Sequence, residues 1–331
     1  MLRFGLLGAG RIGQIHGKNI AASADAKLVA VADVDRRSAK RLAAATGAEI
    51  RDAAAILAAR DIDAILIGTP TDTHADLIEA GAKAGKAVFC EKPVSLDSKR
   101  VEKCVAKVEA AGTPLMIGFN RRFDPNHAAL RERVAAGAIG AVEIVTIISR
   151  DPSPPPLSYV ERSGGLYRDM MIHDFDMARF LLGEEPVEVT AYGSALVDPE
   201  VGRVGDVDTA LVIMRTDSGK LVHISNSRRA SYGYDQRIEV HGSKGLARSD
   251  NVLETTVEVA GKSGYAKAPA QHFFLERYAE AYRRELAAFI DAVSKKKPPS
   301  PGGRDGLQAQ RLADAATKSR ETGKPVAVKV G

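Results

Sequence analysis

The feature that most constrains the fold is the alternation of short apolar runs with amphipathic segments over residues 1–120. The runs are rich in Val, Ile and Leu and end in turn residues: LRFGLLG, KLVAVADVD, DAILIGTP, KAVFCEKP and PLMIGFN. Such runs are typical of strands that are buried on both faces of a parallel sheet. The segments between them predict helices at 11–22, 36–46, 52–60, 73–84 and 97–111. We therefore expect residues 1–120 to form an α/β domain with a doubly wound parallel sheet.

The pattern changes after residue 121, where we expect a second, α+β domain at 121–331. A helix is predicted at 124–136, then the strand AVEIVTIISR, a proline-rich loop DPSPPPLSY and, in the stretch 164–183, two glycines followed by an apolar helix. Longer strands with tight turns follow, which indicates a large, mostly antiparallel sheet: VEVTAYGSALV, DTALVIMRT, KLVHISNSRR, QRIEVHGSKGLARS and ETTVEVAG. Two late helices, at 274–296 and 303–321, and a final strand KPVAVKV complete the domain, with the alternative that these helices pack back on the first domain.

Composition excludes several classes of function. The net charge of +5 comes from 47 basic against 42 acidic residues, and no basic stretch is interleaved with aromatic residues as in a nucleic-acid groove. No apolar run of about eighteen residues predicts a membrane span. The first residues lead directly into a strand without a signal-peptide pattern. Cys90 and Cys104 fit neither a disulfide framework nor a zinc motif, and the seven histidines lack metal-ligand spacing. These features predict a cytoplasmic protein without a metal site.

The segment GAGRIG at 8–13 places three glycines in the GxGxxG register between a strand and a helix. In this context Gly8 allows a tight turn, Gly10 lets a pyrophosphate approach the backbone, and Gly13 allows close packing of helix and strand. The N-terminus of the helix, beginning at Arg11 and Ile12, favours the phosphate charge. The motif predicts a Rossmann-type dinucleotide site.

The choice of dinucleotide depends on Asp33, at the end of the second strand. A carboxylate at this point accepts hydrogen bonds from the ribose hydroxyls and repels a 2′-phosphate. Arg36 and Arg37 follow and could instead hold a 2′-phosphate. Because Asp33 occupies the discriminating position, we expect NAD rather than NADP.

The helix at 164–183 carries an imidazole and three carboxylates among apolar residues. Burying such groups is costly unless they are paired or used. Asp169 and His173 are spaced i, i+4 and would share one face, with Asp176 one turn further on. His173 is a natural proton acceptor, and Asp169 could orient it. The structural alternative is a solvated face or an ion pair, and we expect Asp174 and Asp176 to support the site rather than act in it.

Four segments in order resemble the Gfo/Idh/MocA oxidoreductases: GAGRIG, GTPTDTH at 68–74, CEKPVS at 90–95 and GGLYRDMMIHDFDMARF at 164–180. The resemblance covers nearly the whole chain. The segments FNRRFD, DMMIHDFDMAR and YGYDQR are most similar to the inositol 2-dehydrogenases of that family. The resemblance implies oxidation of the C2 hydroxyl of myo-inositol to 2-keto-myo-inositol with NAD, by a homotetramer whose open-faced second sheets pack together.

The resemblance also assigns candidate site residues. Lys92 follows the strand in KAVFCEKP, at the carboxyl end where open parallel sheets bind ligands, and is expected to contact the reacting hydroxyl beside Asp169 and His173. The peptide before Pro93 is often cis in the family. Cofactor contacts are also expected from the turns after the strands in DAILIGTP and KAVFCEKP, at Thr69, Pro70, Thr71, His74, Glu91 and Lys92. Weaker substrate candidates are Arg122, Tyr232 and Tyr234.

Several alternatives remain open at this point. His74 is the type of residue that more often packs at a helix start, Arg122 could form a salt bridge at the domain interface, and one of the two tyrosines is expected to pack within the sheet. Either Asp169 or His173 could take the proton. The protein could also be an aldose dehydrogenase of the same family, or a dinucleotide-binding sensor without catalytic activity.

Overall fold

The computed structural model of the chain describes residues 1–330. The helices are, in chain order, α1 Arg11–Ala22, α2 Arg36–Thr46, α3 Ala53–Ala58, α4 His74–Lys83, α5 Ser98–Ala110, α6 Pro125–Ala135, α7 Leu157–Ser163, α8 Gly165–Asp169, α9 Ile172–Leu182, α10 Pro199–Arg203, α11 Phe274–Arg277, α12 Ala279–Ser294 and α13 Gly303–Thr322. The strands are β1 Leu2–Leu7, β2 Ala26–Ala32, β3 Glu49–Ile50, β4 Ala64–Ile67, β5 Ala87–Cys90, β6 Leu115–Ile117, β7 Val142–Arg150, β8 Pro186–Ser194, β9 Thr209–Thr216, β10 Leu221–Ser227, β11 Asp235–Gly242, β12 Gly245–Ser249, β13 Glu258–Gly261, β14 Gly264–Lys267 and β15 Val326–Ala327.

The chain divides into two compact units. The first unit comprises Met1–Phe123 and Ala281–Gln310, and the second comprises Asp124–Glu280 and the chain from Arg311 onward. Most of α12 and the first part of α13 therefore belong to the first unit, as in the alternative considered for the late helices. None of the helices within residues 1–330 is long and apolar enough to cross a membrane.

A six-stranded parallel sheet forms the centre of the first unit. Its order is β3-β2-β1-β4-β5-β6, so the winding direction reverses between β1 and β4. The central strands β1 and β4 are almost fully buried, because helices cover both faces of the sheet. From α12, Phe289 packs against Phe4 and Phe89, with ring centroids 5.9 and 5.7 Å apart. The Rossmann-type sheet predicted from the sequence is confirmed, and its reversal point is where such folds bind ligands.

A seven-stranded sheet with the order β12-β11-β7-β10-β9-β8-β15 forms the second unit. Every pairing is antiparallel except that of β7 with β10, which is parallel. One face packs on a core that includes Phe175, Met177 and Leu181 of α9. The other face is open, with Ile144, Leu211, Ile213 and Leu221 exposed. The predicted mostly antiparallel, open-faced sheet is confirmed.

The prediction of one continuous helix after Gly164 and Gly165 is wrong. Gly164 has a φ of +84° and lies between α7 and α8, and a break at Met170 and Met171 separates α8 from α9. At this break, both Met170 N–H and Met171 N–H donate to the Leu166 carbonyl. The bond from Met171 to Leu166 spans five residues instead of four, and it interrupts the regular α-helical pattern.

Other boundaries also differ. The proline-rich loop ends earlier than expected, because α7 begins at Leu157. The helix predicted at 274–296 is divided into α11 and α12 at the buried residue Tyr278. The final strand is limited to Val326–Ala327, and the exposed hairpin of β13 and β14 has a second strand that the sequence pattern did not predict.

Candidate functional site

In the first unit, the glycine-rich turn between β1 and α1 has the shape expected of a phosphate cradle. Gly8 has a φ of +95°, and a Cβ atom there would lie 2.5 Å from the Gly68 carbonyl oxygen. A Cβ atom on Gly13 would lie 2.0 Å from the Gly8 carbonyl oxygen, so helix and turn touch backbone to backbone. At Gly10, a Cβ would meet nothing within 4 Å. The two outer glycines are therefore required by packing, and the middle one leaves space above the helix N-terminus.

That N-terminus suits an anion. Gly10 is the N-cap residue of α1 and has no side-chain oxygen to cap the first N–H groups. Arg11 is exposed, and Ile12 packs beside Gly68, whose ideal Cβ would lie 3.4 Å from Ile12 Cγ2. The backbone donors and the helix dipole thus point into the space above Gly10.

The carboxylate of Asp33 lies directly beside this turn. Its Oδ2 accepts the Ala9 N–H at 2.5 Å, and its Oδ1 accepts the Asp35 N–H at 2.7 Å. These two bonds fix the carboxylate at the end of β2, and its remaining lone pairs can accept ribose hydroxyls. Arg37 is exposed and lies 3.7 Å from Asp35. The glycine turn and Asp33 therefore fit an NAD molecule without a 2′-phosphate.

The turn after β4 is joined to the turn after β5 through His74, the first residue of α4. Its Nε2 lies 2.8 Å from the Thr69 carbonyl oxygen, and its Nδ1 lies 2.8 Å from the Pro93 carbonyl oxygen. Burial lowers the pKa of His74, although both carbonyl contacts favour its charged form. The ring thus holds the two turns together, which is the packing role considered for a histidine at this position.

The other residues of the turn after β4 are nearer the surface. Thr69 Oγ1 lies 2.6 Å from Thr73 Oγ1, and Thr73 Oγ1 donates to the Pro70 carbonyl at 2.8 Å. Pro70 is exposed and Thr71 is half-buried. These contacts shape the turn next to the glycine cradle, since Gly8 packs against Gly68 and Thr69.

Lys92 lies in the turn that follows β5. It is half-buried, and the peptide bond between Lys92 and Pro93 is cis. The preceding residue, Glu91, is buried, and its Oε1 lies 2.7 Å from Nε2 of His16 in α1. Glu91 therefore faces the interior of the first unit, whereas the sequence motifs predict a contact with the cofactor.

Arg122 also belongs to the first unit. Its guanidinium donates to Asp305 Oδ1 at 2.8 Å, so Arg122 forms a salt bridge, but its partner lies in the same unit and not across a domain interface as that alternative expected. Its expected contact with substrate stays a prediction.

In the second unit, Asp169 ends α8 and His173 lies in the first turn of α9. The break between these helices means that the two residues do not share one face of a continuous helix. Asp169 Oδ1 accepts the Tyr159 hydroxyl at 2.8 Å, and its Oδ2 accepts Arg228 Nη2 at 3.2 Å. Asp169 is thus anchored by residues from α7 and from the end of β10, and His173 is half-buried one helix further on.

The sequence interpretation missed Arg228 and its second partner, Asp151. Arg228 is only 3% exposed, and its Nη1 lies 3.4 Å from Asp151 Oδ2. Burial lowers the pKa of Arg228, but Asp169 and Asp151 outweigh this effect and the pKa lies above its ordinary value. Asp151 and Arg228 follow β7 and β10, whose carboxyl ends lie side by side because these strands are parallel. A prediction that β7 and β10 pair in parallel would have placed these two residues together.

The two carboxylates of α9, Asp174 and Asp176, are buried and paired. Asp174 Oδ2 accepts the side-chain amide of Asn226 at 2.9 Å. Asp176 lies 3.5 Å from Arg179 Nη1, and Arg179 also forms a bidentate pair with Glu185. Both carboxylates therefore stabilise α9.

The two candidate tyrosines have different environments. Tyr232 is half-exposed, accepts Arg150 Nη1 at 2.8 Å and donates to Asp235 Oδ2 at 2.7 Å. Tyr234 is buried and packs edge-on against Tyr278, with ring centroids 6.0 Å apart. Tyr234 is the one that packs internally, and Tyr232 presents its ring at the surface.

Comparisons with known proteins agree with this arrangement. Residues 2–119 match the family GFO_IDH_MocA, described as "Oxidoreductase family, NAD-binding Rossmann fold", and residues 131–328 match its "C-terminal alpha/beta domain". The chain is 57% identical over 318 residues to an inositol 2-dehydrogenase of Rhizobium meliloti (strain 1021), covering 96% of each chain.

Two solved structures are similar over nearly their whole length. A myo-inositol dehydrogenase from Corynebacterium glutamicum is 45% identical with a TM-score of 0.96 and full coverage of both chains. A scyllo-inositol dehydrogenase from Lactobacillus casei, solved with bound NAD(H) and scyllo-inositol, is 31% identical with a TM-score of 0.92, covering 99% of each chain.

Proposed function

Because the chain belongs to the Gfo/Idh/MocA family of oxidoreductases, we propose that it oxidises the C2 hydroxyl of myo-inositol to 2-keto-myo-inositol with NAD as the hydride acceptor. The observation that carries the proposal is the 57% identity to an inositol 2-dehydrogenase over 96% of both chains. The match covers both units, so it includes the second unit as well as the dinucleotide fold.

The reaction separates a hydride from a proton. Bound NAD supplies the hydride acceptor, and the chain must bind the polyol, orient it and take the hydroxyl proton. The Lys92 ammonium stabilises negative charge that develops on the reacting oxygen. The Asp169/His173 pair accepts the proton.

The contacts of Asp169 support a more specific role for it in this reaction. Arg228 and Tyr159 both donate to its carboxylate, and donors of this kind favour the ionised form. An ionised Asp169 can accept a hydrogen bond from a polyol hydroxyl and can stabilise a charged His173. Arg228 is thus a positioning residue, since it acts through Asp169.

NAD is the expected cofactor because of Asp33. Two backbone N–H groups fix its carboxylate beside the cradle, where a 2′-phosphate would bring a second negative charge close to it. The proposed order of preference is NAD over NADP.

We also propose that the protein is a cytoplasmic homotetramer. The two cysteines are buried free thiols, as suits a reducing compartment. On the open face of the second sheet, Leu211 lies opposite Tyr192, and Leu221 lies opposite Ile144, so exposed apolar side chains form cross-strand pairs. Such a patch is typical of a surface covered by a partner, and a second copy of the same sheet would match it.

A substrate panel tests the proposed function. Initial rates of NADH formation would be measured with myo-inositol, scyllo-inositol, chiro-inositol and glucose, with NAD and NADP in parallel. The proposal expects the highest kcat/KM with myo-inositol and NAD. A clear preference for glucose would instead identify an aldose dehydrogenase, and NADH binding without turnover of any of these compounds would identify a sensor.

A further inference from the structure

Three titratable side chains that the proposed reaction does not use meet inside the first unit. His16 lies in α1, Glu91 at the end of β5 and Glu285 in α12. His16 Nε2 lies 2.7 Å from Glu91 Oε1 and 4.0 Å from Glu285 Oε1. All three residues are buried, and His16 and Glu285 are 0% exposed. Two carboxyl groups and one imidazole therefore share a space that is closed to solvent.

The hydrogen bonds of this group indicate where its protons are. Within the described residues, His16 Nδ1 has no hydrogen-bond partner, so a proton on that atom would be buried and unpaired. A single ring proton on Nε2 can instead be donated to Glu91. Glu91 is then the acceptor of this bond.

Glu285 is in the opposite situation. Neither of its carboxyl oxygens has a hydrogen-bond partner within residues 1–330. An ionised Glu285 would be desolvated and would face the charge of Glu91. Burial raises the pKa of Glu285 well above its ordinary value, and the nearby Glu91 carboxylate raises it further. The aromatic rings of Phe89 and Tyr282 flank His16 at 5.2 and 5.6 Å and provide no compensating cation.

The geometry favours a shared hydrogen-bonded unit over a metal site, although the three ligand atoms lie within 4.8 Å of one another. Two ligands of a tetrahedral zinc ion, each about 2.0–2.1 Å from the metal, would be ~3.3 Å apart. The 2.7 Å contact between His16 and Glu91 is shorter than this and has the length of a hydrogen bond.

The position of Glu91 in the chain connects this group of three side chains with Lys92. Glu91 immediately precedes Lys92, and His16 lies in the helix that begins at the phosphate cradle. The Glu91 carboxyl group packs against Gly118. A Cβ atom at residue 118 would lie 3.0 Å from this carboxyl group, so the glycine leaves room for the side chain. The Glu91 carboxylate is therefore held between α1 and the end of β6, and its backbone fixes the start of the lysine turn.

We propose that His16, Glu91 and Glu285 form a buried positioning unit for Lys92, in which His16 donates to Glu91 and Glu285 is a neutral carboxylic acid. The unit connects the helix of the phosphate cradle with the turn that carries the lysine. The role of Lys92 in this inference rests on the proposed function, whereas the protonation of Glu285 does not.

Infrared difference spectroscopy tests the protonation directly. The spectrum of the wild-type protein minus that of Glu285→Gln at neutral pH is expected to contain the C=O stretch of a protonated carboxylic acid. Asp291→Asn, on the exposed side of the same helix, is the control and should remove an ionised carboxylate band. Loss of an ionised band in Glu285→Gln, or a bound metal that this variant releases, would overturn the proposal.

Kinetics with myo-inositol test the positioning role. Glu285→Gln replaces one neutral group by another of the same shape, so kcat and KM should stay within about twofold of wild type. Glu91→Leu removes the acceptor and should lower kcat by tenfold or more with little change in NADH affinity, since small displacements of a reacting group are costly. Glu91→Gln keeps an acceptor for His16 and should restore most of the rate.

A structural control separates positioning from general instability. Lys86 is buried in the same unit and donates to the carbonyls of Ala59 and Ile62, away from the cluster. Lys86→Met should lower Tm without lowering kcat of the folded enzyme. A tenfold loss of kcat in Glu285→Gln, or a Glu91→Gln variant as slow as Glu91→Leu, would contradict the proposal. Absence of any inositol oxidation by the wild type would reject the proposed function and leave the infrared result to decide the protonation of Glu285.

Discussion

The guanidinium of Arg228 lies between two carboxylates, 3.2 Å from Asp169 Oδ2 and 3.4 Å from Asp151 Oδ2. All three residues follow or end regular elements of the second unit, and Arg228 is buried. A buried guanidinium stays charged when carboxylates surround it, and here its pKa is raised despite the opposing effect of burial. The arrangement holds the Asp169 carboxylate in one orientation beside a positive charge.

Arg228→Met should therefore lower kcat/KM for myo-inositol by about 100-fold, because the variant leaves Asp169 without its anchoring charge and misplaces a group that we propose contacts the substrate. The neighbouring Arg229→Met is the matched control, since Arg229 is exposed and donates to the Val197 carbonyl. The two variants would be compared by steady-state kinetics and by NADH binding. Equal rates in Arg228→Met and Arg229→Met would contradict the positioning role.

Lys92→Met should lower kcat by about 10²–10³-fold, the usual cost of removing one group that stabilises charge on a reacting oxygen. The affinity for NADH, measured by its fluorescence, should change little, because the glycine cradle and Asp33 are intact. Lys99→Met, an exposed lysine of α5, serves as the control. A Lys92→Met enzyme that turns over at the wild-type rate would exclude the lysine from the chemistry.

Asp33→Ser should weaken NAD binding by about 10–100-fold, since a hydrogen bond to a charged group is worth about 1.5–3 kcal/mol. The same variant should bind NADP more tightly than the wild type does, because the charge that repels a 2′-phosphate is gone. Asp35→Ser keeps a capping oxygen at the start of α2 and is the control. Dinucleotide titrations would measure both effects, and an unchanged ratio of the two affinities would argue against Asp33 as the discriminating residue.

The buried pair of Asp124 and Arg277 predicts how stability depends on pH. Burial alone would raise the pKa of Asp124, but Arg277 outweighs it and the pKa lies below its ordinary value. The stabilisation from this shift is present in full above about pH 4, the pKa of an unfolded Asp, and is lost as the pH falls through the lower folded value.

Asp124→Asn should therefore destabilise the protein at neutral pH by about 3–5 kcal/mol, because Arg277 is left buried and without its counter-charge. Below about pH 4, the difference in unfolding free energy between the wild type and the variant should shrink. Denaturant unfolding across this range measures it. A difference that stays constant down to the lowest pH at which both proteins fold would show that the charge of Asp124 has no such role.

The open sheet face predicts an interface. Ile213→Lys should shift the protein to a smaller assembly in light scattering, because a charge in an apolar interface is not solvated. Ile50→Lys, at an equally exposed apolar residue of the edge strand β3, should leave the assembly unchanged. A wild-type mass of one chain would refute the proposed tetramer, and an unaltered tetramer in Ile213→Lys would place the interface elsewhere.

Much of the fold could be predicted from the sequence because its signals are local. The buried strands of the first unit are short apolar runs, and GAGRIG has the turn, spacing and context that fix its conformation, with Gly8 and Gly13 required by contacts of 2.0–2.5 Å. Asp33 was likewise found from its spacing, and the structure places its carboxylate beside that turn.

The remaining features depend on long-range pairing. The break at Met170 and Met171 separates Asp169 from His173, and hydrophobic periodicity continued through it without a glycine or proline as a signal. Arg228 and Asp151 come together only because β7 and β10 are parallel, and the His16–Glu91–Glu285 group joins segments 75 to 269 residues apart in the numbering of the chain. Spacing along a sequence does not contain this information.

The most direct test of the central claim is the rate of NADH formation when the purified protein is mixed with NAD and myo-inositol. The account predicts saturable turnover with one 2-keto-myo-inositol formed per NADH, and a much lower kcat/KM with NADP. A protein that binds NADH but reduces no NAD with myo-inositol, while it oxidises another polyol or sugar, would contradict the account.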